Sequence, residues 1–282
     1  MIKNQLKTVI LLGALTAVLL LIGAYFGRQG LTIAFAFAII MNLVSYFYSH
    51  KIVLAMYRAK EAKENDYPDL FKIVREISHL ANVPMPKVYI MPTATPNAFA
   101  TGRNPKNGVV AVTQGILDLL NKDELKGVIA HEFAHIKNRD ILIQTIAATI
   151  AAVIAYAAFM ARWAAIFGGY GRDSEGGGNM FELLALAILA PLTATIIQLA
   201  ISRSREYLAD ESGSRFIHSQ HGLINALQKL EAGVKNNPLR FGNQQTSSLF
   251  IVNPFSAQGF TNLFSTHPPV ALRVKKLQKM KI

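Results

Sequence analysis

Apolar residues along this chain fall into long unbroken blocks and shorter periodic ones, and the two kinds predict different elements. Between Lys7 and Arg28 lie about 20 uncharged residues, and between Arg28 and Lys51 about 22, each enough to cross a hydrocarbon core of roughly 30 Å as a helix. Two more runs of about 20 residues lie between Asp140 and Arg162 and between Glu182 and Arg203. They predict spans at about 8–27, 30–49, 141–161 and 183–202. Pro191 kinks the fourth, which membrane helices tolerate when neighbours satisfy the freed carbonyl. The first run is longer than a signal-peptide core of roughly 7 to 15 residues, and another span follows at once, which favours a retained hairpin. The Ala-rich texture of the third run (Ala147, Ala148, Ala151, Ala152) suits close packing of membrane helices. It also suits a buried hairpin in a soluble core, so both readings stand.

The blocks divide the chain into an N-terminal hairpin (1–50), a first polar region (51–139), a second hairpin (140–202) and a second polar region (203–282). The polar regions together are long enough for one compact domain. In the first, Leu70, Ile73, Val74 and Ile77 predict a helix over Asp69 to Leu80. Lys87 to Met91 and Gly108 to Val112 read as short strands, with Asn97 to Thr101 as a third, separated by prolines and the Arg103 to Gly108 turn. Asn121 followed by Glu124 has capping-box spacing before Leu125, Val128, Ile129 and Phe133, which predicts a helix there.

Composition sharpens this picture. The chain of 282 residues is 51% hydrophobic and only 16% charged, with a mean hydropathy of +0.29, which argues against a disordered or a wholly soluble protein. The absence of cysteine excludes disulfides, thiol catalysis and Cys-type zinc sites. The net charge of +12 comes without a basic-aromatic motif, so it points to residues flanking membrane spans rather than to nucleic acid. Lys3 and Lys7 precede the first span and Lys51, Arg58, Lys60 and Lys63 follow the second, whereas only Arg28 lies between them. Both termini and both polar regions are therefore expected in the cytoplasm. Gly168 to Gly178 lies in the outer connection, lacks a phosphate-loop ending and reads as a linker.

The chemistry sits in the capped helix. His131-Glu132-Phe133-Ala134-His135 sets two imidazoles four residues apart on one face, with Glu132 beside them. Zinc hydrolysis needs this arrangement: the ion lowers the pKa of its water, and an adjacent carboxylate takes the proton. A third ligand must leave one position open. No third His follows nearby. After the fourth block, however, Glu206 and Asp210 share a helical face, and an out-and-back hairpin returns them to the membrane face where His135 ends. An exposed carboxylate among Arg203 and Arg205 is the alternative for Glu206.

His-Glu-Phe-Ala-His, a hairpin, and then Ser202-Arg203-Ser204-Arg205-Glu206-Tyr207-Leu208-Ala209-Asp210 resemble the HtpX family of bacterial membrane zinc endopeptidases, distant relatives of the CAAX-prenyl endopeptidases. The resemblance runs over nearly the whole chain. It implies a mostly α membrane protein: four transmembrane helices and a cytoplasmic zincin-like α+β metallopeptidase domain with a small sheet. It also implies one Zn2+ held by His131, His135 and Glu206, Glu132 as general base, and Asp210 holding a ligand imidazole from behind. Asn97-Ala98-Phe99-Ala100 resembles the family's strand beside the cleft, where an extended substrate adds by main-chain hydrogen bonds. His267 and Arg273 resemble the pair that stabilises the oxyanion, although by spacing alone they read as a loop residue and a surface charge.

His50, His79, His218 and His221 read as structural or exposed, and the basic stretch from Arg273 to Lys281 as a solvated helix face. The implied function is cleavage of misfolded or damaged membrane proteins, or unfolded polypeptides, at the inner face of the bacterial cytoplasmic membrane, overlapping with other quality-control proteases. A CAAX-type processing endopeptidase and a noncatalytic zinc-stabilised scaffold or chaperone are the alternatives.

Overall fold

A computed structural model of the chain describes residues 27–150, 203–242, 244–255 and 268–282, with scattered helical positions between 6 and 24. The second half of the third predicted span, the whole of the fourth, the Gly-rich linker and His267 lie outside the described residues.

Helix α1 (Gly27–Met56) contains the second predicted span, and at about 1.5 Å per residue it is long enough to cross a bilayer. Its flanks are largely exposed and apolar, with Ile33, Phe35, Ile40 and Leu43 turned outward. One polar contact joins it to the preceding segment: Asn42 Nδ2 donates to Thr16 Oγ1 at 2.8 Å. In hydrocarbon such a bond has no competing water, so it favours pairing of the two segments.

The described residues contain one four-stranded sheet, β1 (Lys60–Glu61), β2 (Lys87–Met91), β3 (Ala98–Gly102) and β4 (Gly108–Thr113), in the order β1-β2-β4-β3. The β2 and β4 strands run parallel, while β1 and β3 flank them antiparallel. The expected strand starting at Asn97 begins at Ala98 instead, because the Asn97 side chain accepts from the Ala98 N–H and caps the strand. The two-residue β1 and the short α3 (Gln114–Leu119) carry too little periodicity to be read beforehand.

Every residue of β4 is buried, as expected of a strand covered on both faces. Alternate side chains divide two cores between them. Val110 and Val112 join α2 (Pro68–Ala81), α4 (Lys122–Lys137) and α7 (His221–Asn236) in a largely aliphatic core. Val109 and Ala111 face the other way, onto Val53, Leu54 and Tyr57 from the end of α1, Ala148 of α5 (Ile141–Ile150), and Phe99 and Phe250. Tyr57 and Phe99 both meet the Phe250 ring edge-on, at 4.9 and 5.2 Å between centroids. The sheet thus rests on the ends of two apolar helices. Thr101 of β3 also shares a 2.8 Å hydrogen bond with Thr145 of α5, and the Arg103 guanidinium lies 5.3 Å from the centre of the Phe47 ring of α1.

Helix α4 begins with the expected capping box, Asn121 and Glu124 each satisfying the other's backbone N–H. Its close fit to α7 depends on Gly127, where a Cβ would meet Leu223 N at 2.5 Å. After α4 the chain turns through Arg139, whose φ is 58°, and enters α5 with Asp140 at its head. Helix α6 (Arg203–Phe216) then packs across α4, and α8 (Val270–Gln278) closes over α6.

Candidate active site

Helix α4 runs beneath β3, buried along its length from Gly127 to Ile136, so His131, Glu132 and His135 are all withdrawn from solvent. The two imidazoles stand one turn apart, edge to face, with their Nε2 atoms 3.2 Å from each other. Helix α6 delivers Glu206 to the same point. Its Oε1 lies 3.6 Å from His135 Nε2 and its Oε2 3.8 Å from His131 Nε2. This approach requires Gly213, since a Cβ there would come within 2.8 Å of the backbone of Ala130 and His131.

Metal-like spacing follows directly from these distances. Tetrahedral zinc with ligand bonds of about 2.0–2.2 Å places its donor atoms about 3.3 Å apart. The three donor atoms here lie within 4.8 Å of one another and need only small adjustments to meet that figure. Charge agrees as well. Around the imidazoles, the carboxylates of Glu132, Asp140, Glu206 and Asp210 face the guanidiniums of Arg205 and Arg273, all six buried. When ionised, the carboxylates leave two negative charges for a divalent cation. The donor set therefore fits zinc, and it offers no softer ligand that would favour copper.

Each imidazole is oriented through its other nitrogen. His131 Nδ1 lies 2.9 Å from Asp210 Oδ1. Asp210 is in turn gripped by Arg273, Nε donating to Oδ2 at 2.9 Å and Nη2 to Oδ1 at 2.6 Å. Arg273 Nη1 donates to the Ile251 carbonyl at 2.7 Å. On the other side, His135 Nδ1 lies 3.5 Å from Asp140 Oδ2, and Arg205 Nη1 lies 3.8 Å from Asp140 Oδ1.

Burial and these charges together govern protonation. Burial lowers the His131 pKa to about 4 despite the hydrogen bond to Asp210, which keeps the imidazole neutral and able to ligate. Burial also acts against the charged form of His135, but Glu206, Asp140 and Glu132 outweigh it and raise the pKa to about 9. A proton on His135 and a divalent cation satisfy the same carboxylates, so metal binding here releases protons. Burial disfavours ionised Asp210, yet the Arg273 charge and hydrogen bonds, with His131, bring it down to about 2. Burial raises Glu132 to about 7, against His135 and the Ala100 backbone N–H, which hold it down. That value lies in the range where a carboxyl group can both take and give a proton at neutral pH.

The structure brings together Glu132, His131, His135, Glu206, Asp210 and Arg273, and it sets Ala100 beside Glu132. Arg273 is not the surface charge its spacing suggests. It is 1% exposed, and its hydrogen-bonded donors face Asp210 and Ile251, behind His131. The other strand residues have different surroundings. Asn97 Nδ2 donates to Val252 O at 2.8 Å, and Ala98 O accepts from Ile251 N at 3.0 Å, so residues 251–252 cover that end of the β3 edge. Phe99 points into the aromatic core. His79, His218 and His221 are exposed and His50 is half-buried, and none of them belongs to a metal-like cluster among the described residues.

Asp140 and Arg205 were not legible as parts of the site. Asp140 reads as the polar end of a span and Arg205 as one more basic residue after another. The signal available was that both flank the predicted second hairpin, close in sequence to His135 and Glu206.

Residues 64–281 of the chain match Peptidase family M48. The chain is 53% identical over 281 residues to the "Protease HtpX homolog" of Syntrophobacter fumaroxidans, an alignment covering 98% of this chain and 99% of that protein. It is 51% identical to the "Protease HtpX homolog" of Thermococcus kodakarensis, covering 98% of this chain and 95% of that protein. Among solved structures it is similar to S. mikatae Ste24p, with a TM-score of 0.52 at 17% identity, a likeness of fold that covers 98% of this chain and 66% of that one.

Proposed function

The chain belongs to peptidase family M48, whose members are zinc metallopeptidases, and from that premise we propose that it is a membrane-bound endopeptidase that cleaves misfolded or damaged membrane proteins at the cytoplasmic face. The observation carrying this reading is the meeting of His131, His135 and Glu206 donors with Glu132 buried beside them. His131, His135 and Glu206 would hold zinc, and the ion when bound would supply Lewis-acid activation of a water and of the scissile carbonyl.

The chain's own residues do the rest. Glu132 receives the proton of the attacking water and passes it to the departing amine, a double role suited to a carboxyl group raised to about 7. Asp210 fixes the tautomer and tilt of His131, and Arg273 keeps Asp210 ionised and aimed. Because its donors are turned that way, Arg273 acts as a positioning residue, and His267 is the candidate donor to the developing oxyanion. An extended polypeptide would pair with β3 near Ala100, whose backbone lies against Glu132.

The membrane arrangement we propose has four spans with both polar regions in the cytoplasm. It is supported by the four apolar blocks, the Lys and Arg flanking the first pair, and the exposed apolar flanks of α1. A cleft built on the ends of α1 and α5 would meet polypeptide close to the bilayer surface. The test is the purified full chain in detergent, given an unfolded polypeptide with and without zinc. Zinc-dependent cleavage that vanishes in Glu132→Gln while zinc is retained supports the reading. A protein that binds zinc but cleaves nothing is a scaffold, and the reading fails.

A further inference from the structure

The backing of His135 contains an arginine whose surroundings are unusual. Arg205 is 9% exposed, yet among the described residues none of its three side-chain nitrogens has a hydrogen-bond acceptor. The carboxylate with which it forms an ion pair is Asp140, at 3.8 Å, outside hydrogen-bond range. A buried guanidinium held this way is a poor stabiliser: its desolvation is not repaid by hydrogen bonds, and an apolar side chain of similar volume serves packing better. Of the two carboxylates whose charges act on Arg205, Asp140 and Glu206, Asp140 is the one within ion-pair distance.

Asp140 occupies a particular place. Its backbone N–H donates to His135 O at 3.0 Å, and its own carbonyl accepts from Gln144 N at 3.1 Å, so it ends the turn after α4 and heads α5. Its Oδ2 faces His135 Nδ1 at 3.5 Å. Arg205 approaches its other oxygen, Oδ1, from the first turn of α6, one residue before Glu206, so a carboxylate at 2% exposure stands between the imidazole and the guanidinium. The pair therefore joins the two chain positions that flank residues 141–202, and it touches a ligand on one side and adjoins a ligand on the other.

We propose that Arg205, acting through Asp140, is a positioning residue for His135, the counterpart of Arg273 acting through Asp210 on His131. The inference rests on the zinc peptidase reading. It adds that the neck of the second hairpin and the metal geometry are one mechanical unit: displacing α6 relative to the head of α5 would move His135 and Glu206 together.

The test uses the full chain in detergent, loaded with zinc, followed by chelator-driven zinc loss and by kcat and KM on dye-quenched unfolded casein. Arg205→Met is expected to speed zinc loss about 10- to 100-fold and to lower kcat with KM little changed. Arg205→Lys should recover part of both. Asp140→Asn, which keeps shape, should reproduce the Met variant, and the double variant should be no worse than either single one. Arg215→Met on the exposed side of α6 serves as the control that leaves zinc loss unchanged. If Arg205→Met melts at the wild-type temperature and retains wild-type zinc loss and kcat, the inference is overturned. Should that variant not fold, unchanged zinc loss in Asp140→Asn overturns it instead. Additive effects in the double variant also overturn it. A wild-type chain that neither retains zinc nor cleaves casein would instead sink the underlying function, so the two failures are distinguishable.

Discussion

The two imidazoles of α4 are supported by similar parts assembled to different tightness. Behind His131, the Asp210 carboxylate and the Arg273 guanidinium form a closed, two-bond fork with distances of 2.6 and 2.9 Å. Behind His135, Asp140 and Arg205 sit at 3.5 and 3.8 Å, in ion-pair contact without that fork. The closed support is built from α6 and α8, inside the polar domain. The looser one is built where the chain enters the third apolar block and where it emerges from the fourth. The contrast teaches that one imidazole is set by packing within the polar regions, while the other is tied to the two chain positions that flank residues 141–202.

The largest expected effect tests whether Glu132 stands apart from both supports. Glu132→Gln should lower turnover by about 10²- to 10⁴-fold while bound zinc, measured by metal analysis, stays at one per chain. Loss of zinc in that variant would make Glu132 a ligand and remove the symmetry between the imidazoles. Next, Arg273→Met strands the Asp210 charge in the core. It should destabilise the fold by about 3–5 kcal/mol in denaturant titration of the detergent-solubilised chain. A change below about 1 kcal/mol, the scale of an exposed ion pair, would show that the closed fork is not a buried support.

Asp210→Asn should weaken zinc retention about 10- to 100-fold in chelator competition, and by more than Asp140→Asn does. Equal losses would mean that the tighter geometry gives no extra hold. The smallest effect is a control: Asn121→Ala removes one half of the capping box of α4 and should cost about 1 kcal/mol of stability, leaving zinc affinity unmoved. If zinc affinity falls with it, the helix end and the metal ligands are coupled, and neither support acts alone.

What could be read beforehand divides by distance along the chain. The pairing of His131 with His135, the place of Glu132 and the capped start of α4 are local consequences of helical spacing. Glu206 was reachable because the predicted hairpin would return its second limb to the face where His135 ends. The strand read at Asn97 to Thr101 was legible to within one residue at each end, but its partners were not, since Val252 and Ile251 come from a segment without periodicity. Arg273 illustrates the limit most clearly. In the sequence it opens a basic run, and the neighbouring Lys275 and Lys276 are indeed exposed, yet it alone turns inward to Asp210. An arginine's burial depends on whether a carboxylate waits at the other end, and that is a property of two distant segments.

By itself, then, the amino-acid order determined the apolar blocks, the helix that carries the two imidazoles and its acid, because hydrophobic length and a 3.6-residue period act over a few turns. Tertiary structure alone decided which charges stand behind the imidazoles and how tightly. Those choices depend on α6 and α8 crossing α4 at positions such as Gly213, where the missing side chain lets two backbones meet. Electrostatic contacts change steeply over one or two ångströms in a buried, weakly screening interior, a precision that only the packed fold can supply.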